Sequence, residues 1–148
     1  MLIYLDLCCF NRPYDDQSQL RLRLETEAKL SLQDKVRSGA CQLLWSAVLD
    51  LENSKNPFVE HMRAISQWRG LAASNVSAGP EVLALAQPLA DLGVHTFDAL
   101  HVASAIVGKA AMFITTDDRL LKRVRHLNEI KVMFPADALA LLENWYEH

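Results

Sequence analysis

Four acidic residues, Asp6, Glu52, Asp98 and Asp117, occur in four separate segments of the chain, each at a place suited to a site. Asp6 closes the apolar run Leu2-Ile3-Tyr4-Leu5, and Asp117 directly follows the apolar segment 112–116. Glu52 lies just past the apolar stretch 44–48, and Asp98 falls in the first turn of a helix that the pattern starts at Phe97. Ligand sites in open α/β sheets form at the carboxyl edge, where strands deliver loops and helix starts. Carboxylates gathered at such an edge repel and raise one another's pKa. A hard divalent cation, Mg2+ or Mn2+, reverses that cost, because it takes oxygen ligands and keeps several waters. An ion held this way activates water and stabilises the charge that builds up in phosphodiester hydrolysis. Setting the four acids aside leaves 15 basic residues against the remaining 14 of 18 acidic ones, so the rest of the chain is nearly neutral. Taken singly, each acid also has an ordinary use. Asp98 suits a helix dipole, Asp117 a helix cap, Asp6 a turn and Glu52 a wet helix face.

The elements that must position these acids alternate along the chain. Strands are expected at 2–5, at 42 onward leading into a helix that contains Glu52, at 75–76, at 112–115 and at 131–134. Helices are expected at 17–37 with Gly39 as a stop, 58–70, 80–92 with Pro80 in the first turn and Gly93 beyond the end, 97–109 with Thr96 as cap, 118–127 and 136–146. Residues 12–16 (RPYDD) read as loop. Regular alternation argues for a central, mainly parallel sheet covered by helices on both faces, a three-layer α/β/α sandwich of Rossmann-like type. A length of 148 residues without linker, repeat or low-complexity segment suits one domain, 1–148.

Composition removes several classes. Hydrophobic residues make up 51% and charged residues 22%, which excludes a disordered or fibrous chain. A net charge of −3 excludes nucleic-acid binding by bulk charge, so such contact needs a local basic patch. The cysteines, Cys8, Cys9 and Cys41, are odd in number and have no metal-ligand spacing, which argues against disulfides and zinc and for a reducing compartment. No basic leader and no apolar run of about 18 residues is present, so a cytoplasmic protein with no membrane span is expected. Neither GxxxxGK[ST] nor GxGxxG occurs, which sets nucleotide-binding folds aside. A phospho-aspartate receiver would want a second acid near Asp6 and a lysine after a later strand. The chain has Asp6-Leu7-Cys8 and Thr115-Thr116-Asp117 instead.

In order along nearly the whole chain, Ile3-Tyr4-Leu5-Asp6, the Ser46 to Glu52 segment (SAVLDLE), Phe97 to Ala105 (FDALHVASA) and Phe113 to Leu120 (FITTDDRL) resemble the four motifs of the PIN-domain family of metal-dependent nucleases. The resemblance implies a PIN-like, Rossmann-like fold and an acidic pocket in which Asp6, Glu52, Asp98 and Asp117 hold Mg2+ or Mn2+, with Asp118 as a further acid. It implies cleavage of single-stranded or structured RNA. Many small members act as the toxin of a bacterial pair whose antitoxin inserts a segment into the acidic groove, and many form homodimers. The chain departs from the pattern at Cys8, where the family commonly has a small polar residue. That departure keeps open an alternative, a PIN-like RNA-binding or protein-interaction module without turnover.

Other residues have weaker claims. Arg119, Lys122, Arg123 and His126 share a helix face by spacing and form either a phosphate-guiding strip or a solvated surface. Arg119 and Lys122 are the substrate-binding candidates there, with Asn11 and Arg12 near the first acid. Arg12 has an alternative as an ion-pair partner of Asp15 or Asp16. His101, three residues after Asp98, reads as a core or rim histidine before a proton donor. Trp45, Trp68 and Trp145 are scattered and read as packing residues, not a base-stacking platform.

Overall fold

The computed structural model describes residues 1–11 and 17–145, so Arg12 and the 12–16 loop lie outside the described residues. The strands are β1 (Leu2–Leu5), β2 (Gln42–Ser46), β3 (Ser74–Val76), β4 (Met112–Ile114) and β5 (Lys131–Met133). The helices are α1 (Leu7–Asn11), α2 (Leu20–Ser38), α3 (Ala47–Asn53), α4 (Val59–Ser66), α5 (Pro80–Asp91), α6 (Thr96–Val107), α7 (Asp118–Val124) and α8 (Pro135–Glu143), with a 3-10 turn at Gln67–Leu71 after α4. All five strands pair in parallel in the order β3-β2-β1-β4-β5. The chain therefore winds outward one way from β1 through β2 and β3, then returns to β1's other side for β4 and β5. The switch point lies between β1 and β4, which pair with Tyr4 opposite Phe113 and Leu5 opposite Ile114.

Both sheet faces are covered, which explains why β1, β2 and β4 are apolar without strict alternation. Tyr4 and Phe113 stack on the face that carries α6, with ring centroids 5.4 Å apart. Trp45 points the other way, edge-on to Phe10, whose ring carries the Lys29 ammonium of α2 at 5.7 Å. α5 packs along α6, and α2 packs along α8. The end of α6 sits close on the sheet at Gly108. A Cβ there would overlap Leu44 and come within 2.6 Å of Val76.

The observed elements differ from the sequence reading at several boundaries: the helix expected over 58–70 is α4 followed by a 3-10 turn, α2 starts three residues late, and α7 and α8 each end three residues early. α1 is an extra short helix, nucleated where Oδ1 of Asp6 accepts the Leu7 N–H at 2.8 Å and Asp6 O accepts the Cys9 N–H at 2.9 Å. α3 starts at Ala47, because Oγ of Ser46 accepts the Leu49 N–H and caps it there. Thr96 is not a cap: it is the first residue of α6, and His95 occupies the cap position without a side-chain bond. The helix stops at Gly39 (φ 82°) and Gly93 (φ 91°) are present, both in the left-handed region that favours glycine.

Candidate metal centre

At the switch point Asp6 directly follows β1 and Asp117 lies three residues beyond β4, so both fall at the carboxyl edge of the sheet. α3 brings Glu52 from one side and the first turn of α6 brings Asp98 from above. All four acids line one open cavity of about 390 Å³, together with Cys8, Asn11 and Lys55. Asn11 reaches Asn56 across its mouth, Oδ1 accepting from Nδ2 at 3.4 Å. Lys55, three residues after Glu52 on the chain, holds its ammonium over the Phe97 ring at 4.9 Å.

Asp6 is buried and already engaged. Its Oδ2 accepts from the Thr115 hydroxyl at 2.9 Å and from the Cys8 thiol at 3.4 Å. Cys8 thus stands at the cavity wall as a weak donor to the first acid. Burial pushes the Asp6 carboxyl up from its usual range, against the opposing pull of His101, Thr115 and Cys8. Asp98, half-buried, is pushed up to about 6 by desolvation first and then by the charges of Asp6 and Asp117. Asp117 caps α7, with one carboxylate oxygen accepting the N–H groups of Arg119 and Leu120. The ordinary and the site-building uses of Asp117 therefore coexist, since it caps α7 and lines the cavity, while Asp6 lines the same cavity and turns the chain into α1.

Glu52 is held from behind by a buried chain that the sequence did not reveal. The Leu49 N–H donates to Ser46 Oγ at 3.0 Å, Ser46 and Tyr4 hydroxyls meet at 2.6 Å, and Tyr4 meets His101 Nδ1 at 2.6 Å. His101 Nε2 reaches Glu52 Oε1 at 2.9 Å. One assignment satisfies the whole row. Ser46 donates to Tyr4, Tyr4 donates to Nδ1, and Nε2–H donates to the Glu52 carboxylate. His101 is fully buried on α6, three residues from Asp98. Burial opposes its charge, but Glu52 and Asp6 outweigh burial and raise its pKa. Burial drives the Tyr4 phenol well above its ordinary value, which keeps it neutral and able to donate.

The donor set fits a hard cation. Ligand atoms of Asp6, Glu52 and His101 lie within 4.8 Å of one another, and the nearby Asp98 carboxyl is pushed up by burial first and then by the charges of Asp6 and Asp117, which a cation would offset. His101 Nε2 is taken by Glu52, so the donors left for an ion are carboxylate oxygens, which suits Mg2+ or Mn2+ chemistry over zinc.

The remaining candidates are distributed differently. Asp118 turns away from the cavity. Its carboxylate takes a two-point bond from Arg21 at 2.6 and 2.9 Å, which holds it below the usual carboxylate range. Arg119 lines a second cavity of about 330 Å³ beside the first, with His95 and Arg123. Lys122 is exposed and lines neither of these two cavities. Arg123 belongs to the basic strip that the sequence pointed to, whereas His95, Lys55 and Asn56 were not singled out. Helical spacing from Glu52 was the available signal for Lys55, while His95 depends on how the α5–α6 turn packs. No helix among the described residues is long and apolar enough to cross a membrane.

No family model matches the sequence, and no curated protein matches it either. Solved structures do. FitAB bound to an IR36 DNA fragment superposes with a TM-score of 0.59 at 17% identity, covering 90% of this chain and 94% of that one. VapBC2 from Rickettsia felis, bound to a DNA fragment from its promoter, gives 0.54 at 12% identity over 89% and 97%. Likeness at such identities is likeness of fold. The chain has the PIN-like, mainly parallel α/β fold that its four motifs suggested.

Proposed function

We propose that this chain, as one domain over 1–148, is a Mg2+- or Mn2+-dependent endoribonuclease of the toxin type, acting in the cytoplasm and held in check by a cognate antitoxin. The observation that carries the reading is the convergence of four carboxylates from four distant segments on one open cavity at the switch point, with Asp98 pushed up to about 6 by its burial and its neighbours. Charge repulsion of this kind is maintained at a cost unless something cationic uses it. The two superposed structures support the partner: one contains FitAB and the other VapBC2, each bound to DNA.

Asp6, Glu52, Asp98 and Asp117 would hold the ion, which when bound supplies a water of lowered pKa and positive charge for the transition state of phosphodiester hydrolysis. The rest falls to the chain. Thr115 and the Leu7 N–H fix the Asp6 carboxylate, and His101 fixes Glu52 so that it does not swing toward Lys55 or water. Asn11 at the cavity wall, Arg12 beside it in sequence, and Arg119 are the candidates to contact the RNA backbone, with Lys122 farther out on α7. A homodimer is part of the same proposal.

A second reading has one specific observation behind it. Both Asp6 oxygens already accept hydrogen bonds, Oδ2 from the Cys8 thiol that replaces a small polar side chain. A non-catalytic RNA-binding or protein-interaction module would tolerate that arrangement. Incubating the purified protein with single-stranded RNA in Mg2+, Mn2+ or EDTA, beside Asp98→Asn, separates the two. Metal-dependent cleavage that the variant loses supports the nuclease. Intact RNA with folded, partner-free protein in Mn2+ supports the module.

A further inference from the structure

The second cavity is a candidate binding site in its own right. Asp98 and Asp117 line both it and the acidic cavity, whereas His95, Arg119 and Arg123 line it alone of the two. Arg119 and Arg123 are four residues apart on α7 and so lie on one face of it. Arg21 is paired with Asp118 and Glu25, Arg37 with Asp34 and Arg69 with Asp50, and none of these three lines the acidic cavity. Among the described residues the side chains of Arg119 and Arg123 have no carboxylate partner, although both border an acidic cavity.

Arg123 is also anchored. Its Nη1 donates to Leu92 O at 3.0 Å, and the guanidinium lies against Gly93, where a Cβ would stand 2.7 Å from that nitrogen. Gly93 thus does two things in one turn. Its left-handed backbone (φ 91°) ends the α5 segment, and its missing side chain makes room for the guanidinium. A guanidinium already held in place loses little freedom when it binds an anion, and its planar fork suits phosphate oxygens. His95, two residues further along the same turn, adds a ring nitrogen to the same wall.

We propose that the His95–Arg119–Arg123 cavity binds the backbone phosphate next to the one at the acidic cavity, independently of base. A single strand carries a phosphate at every nucleotide, so a strand lying across Asp98 and Asp117 brings a second anion to these cations without a second ligand. The inference rests on RNA being what enters the acidic cavity. It does not require that the RNA be cleaved.

The test is equilibrium binding of a short fluorescent oligouridylate in EDTA, where nothing is cut, across a salt series. Arg119→Gln/Arg123→Gln should weaken binding roughly tenfold and flatten the dependence of log K on log salt by about 0.7 for each phosphate no longer neutralised. Lys122→Gln/Arg125→Gln removes the same charge from exposed positions on and just after α7 and should do much less. Gly93→Ala keeps both arginines but displaces Arg123 from its seat, and should fall between them. Equal losses in the two double variants, or none in either, would overturn the proposal. So would displacement of the RNA by poly-glutamate at lower concentration than by unlabelled oligouridylate, which would assign the cavity to an acidic protein segment. Wild-type protein that shows the arginine dependence yet never cuts RNA in Mn2+ would sink the nuclease reading and leave the subsite standing. Cleavage indifferent to both arginines would do the reverse.

Discussion

Asp117 and Asp118 are adjacent in sequence, and the fold sends them to opposite environments. Asp118 meets Arg21 in a two-point ion pair, within a cluster that also neutralises Glu25. Its carboxyl is held down, and the arrangement is complete without any ligand. Asp117 lines a cavity with Asp6, Glu52 and Asp98 and makes no ion pair there among the described residues. Solvated ion pairs of the first kind contribute little and are common on protein surfaces. Carboxylates gathered without an arginine or lysine partner raise the energy of the empty protein, which is why that region, and not the ion-paired one beside it, points to function.

The largest way to test this contrast is activity. If the nuclease reading is right, Asp98→Asn or Asp117→Asn should cut the rate of metal-dependent RNA cleavage by about a hundredfold or more. Asp118→Asn should leave it within about twofold, because surface substitutions away from the chemistry act weakly. A nuclease that loses its activity through Asp118 instead would invert the comparison.

Metal binding should separate the same residues without RNA. Mn2+ at a hundredfold over its dissociation constant stabilises the folded state by about 2.7 kcal/mol, a melting shift of roughly 5–10 °C for a chain of this size. Differential scanning fluorimetry should show that rise for wild type and Asp118→Asn and lose most of it for Asp98→Asn.

The chain behind Glu52 should be next in size. Tyr4→Phe removes the hydroxyl between Ser46 and His101 inside a fully buried site, and should cost about 1–3 kcal/mol in chemical denaturation. His101→Gln, which retains a donor toward Glu52, should recover more Mn2+ affinity than His101→Leu. Equal metal affinity in all three would mean that the row serves stability alone.

In the metal-free protein Asp98→Asn should stabilise. The folded Asp98 carboxyl titrates near 6, well above an unfolded aspartate at about 3.9. The folded state therefore holds that proton more tightly, and stability falls as pH rises from about 4 to about 6, with the penalty in full above that. Discounted for partial exposure, it amounts to about 1 kcal/mol. Melting of the variant in EDTA should exceed wild type by a few degrees at neutral pH, with the gain gone near pH 4. With saturating Mn2+ the order should reverse. The smallest effect is Asp118→Asn on stability, a slight loss that high salt should erase.

Much of this was legible from residue order. Apolar runs ended by acids gave the strands, their alternation with helices gave the parallel sheet, and the four motifs gave the acids that share the cavity. Local chemistry hid in two places. Ser46 caps α3 and so fixes its start at Ala47, inside the apolar stretch 44–48, and Asp6 holds the first N–H of α1, a helix that no pattern in the sequence announces. Long-range contacts hid the rest. His101 and Glu52 are 49 positions apart, and no periodicity announces that a histidine on one helix will steady an acid on another. Lys122 and Arg123 looked alike in a basic stretch, and only the packing of the 92–95 turn against α7 distinguishes them.

The tight seat of Gly108 bears on all of this from a distance. α6 carries Asp98 near its start and His101 one turn on, and its far end rests on Leu44 and Val76 with no room for a methyl group. The helix is a lever about 15 Å long between that fulcrum and the acids. A variant at residue 108, remote from the chemistry, would tilt the arm and detune the spacing of Asp98 against Asp6 and of His101 against Glu52 in a single motion.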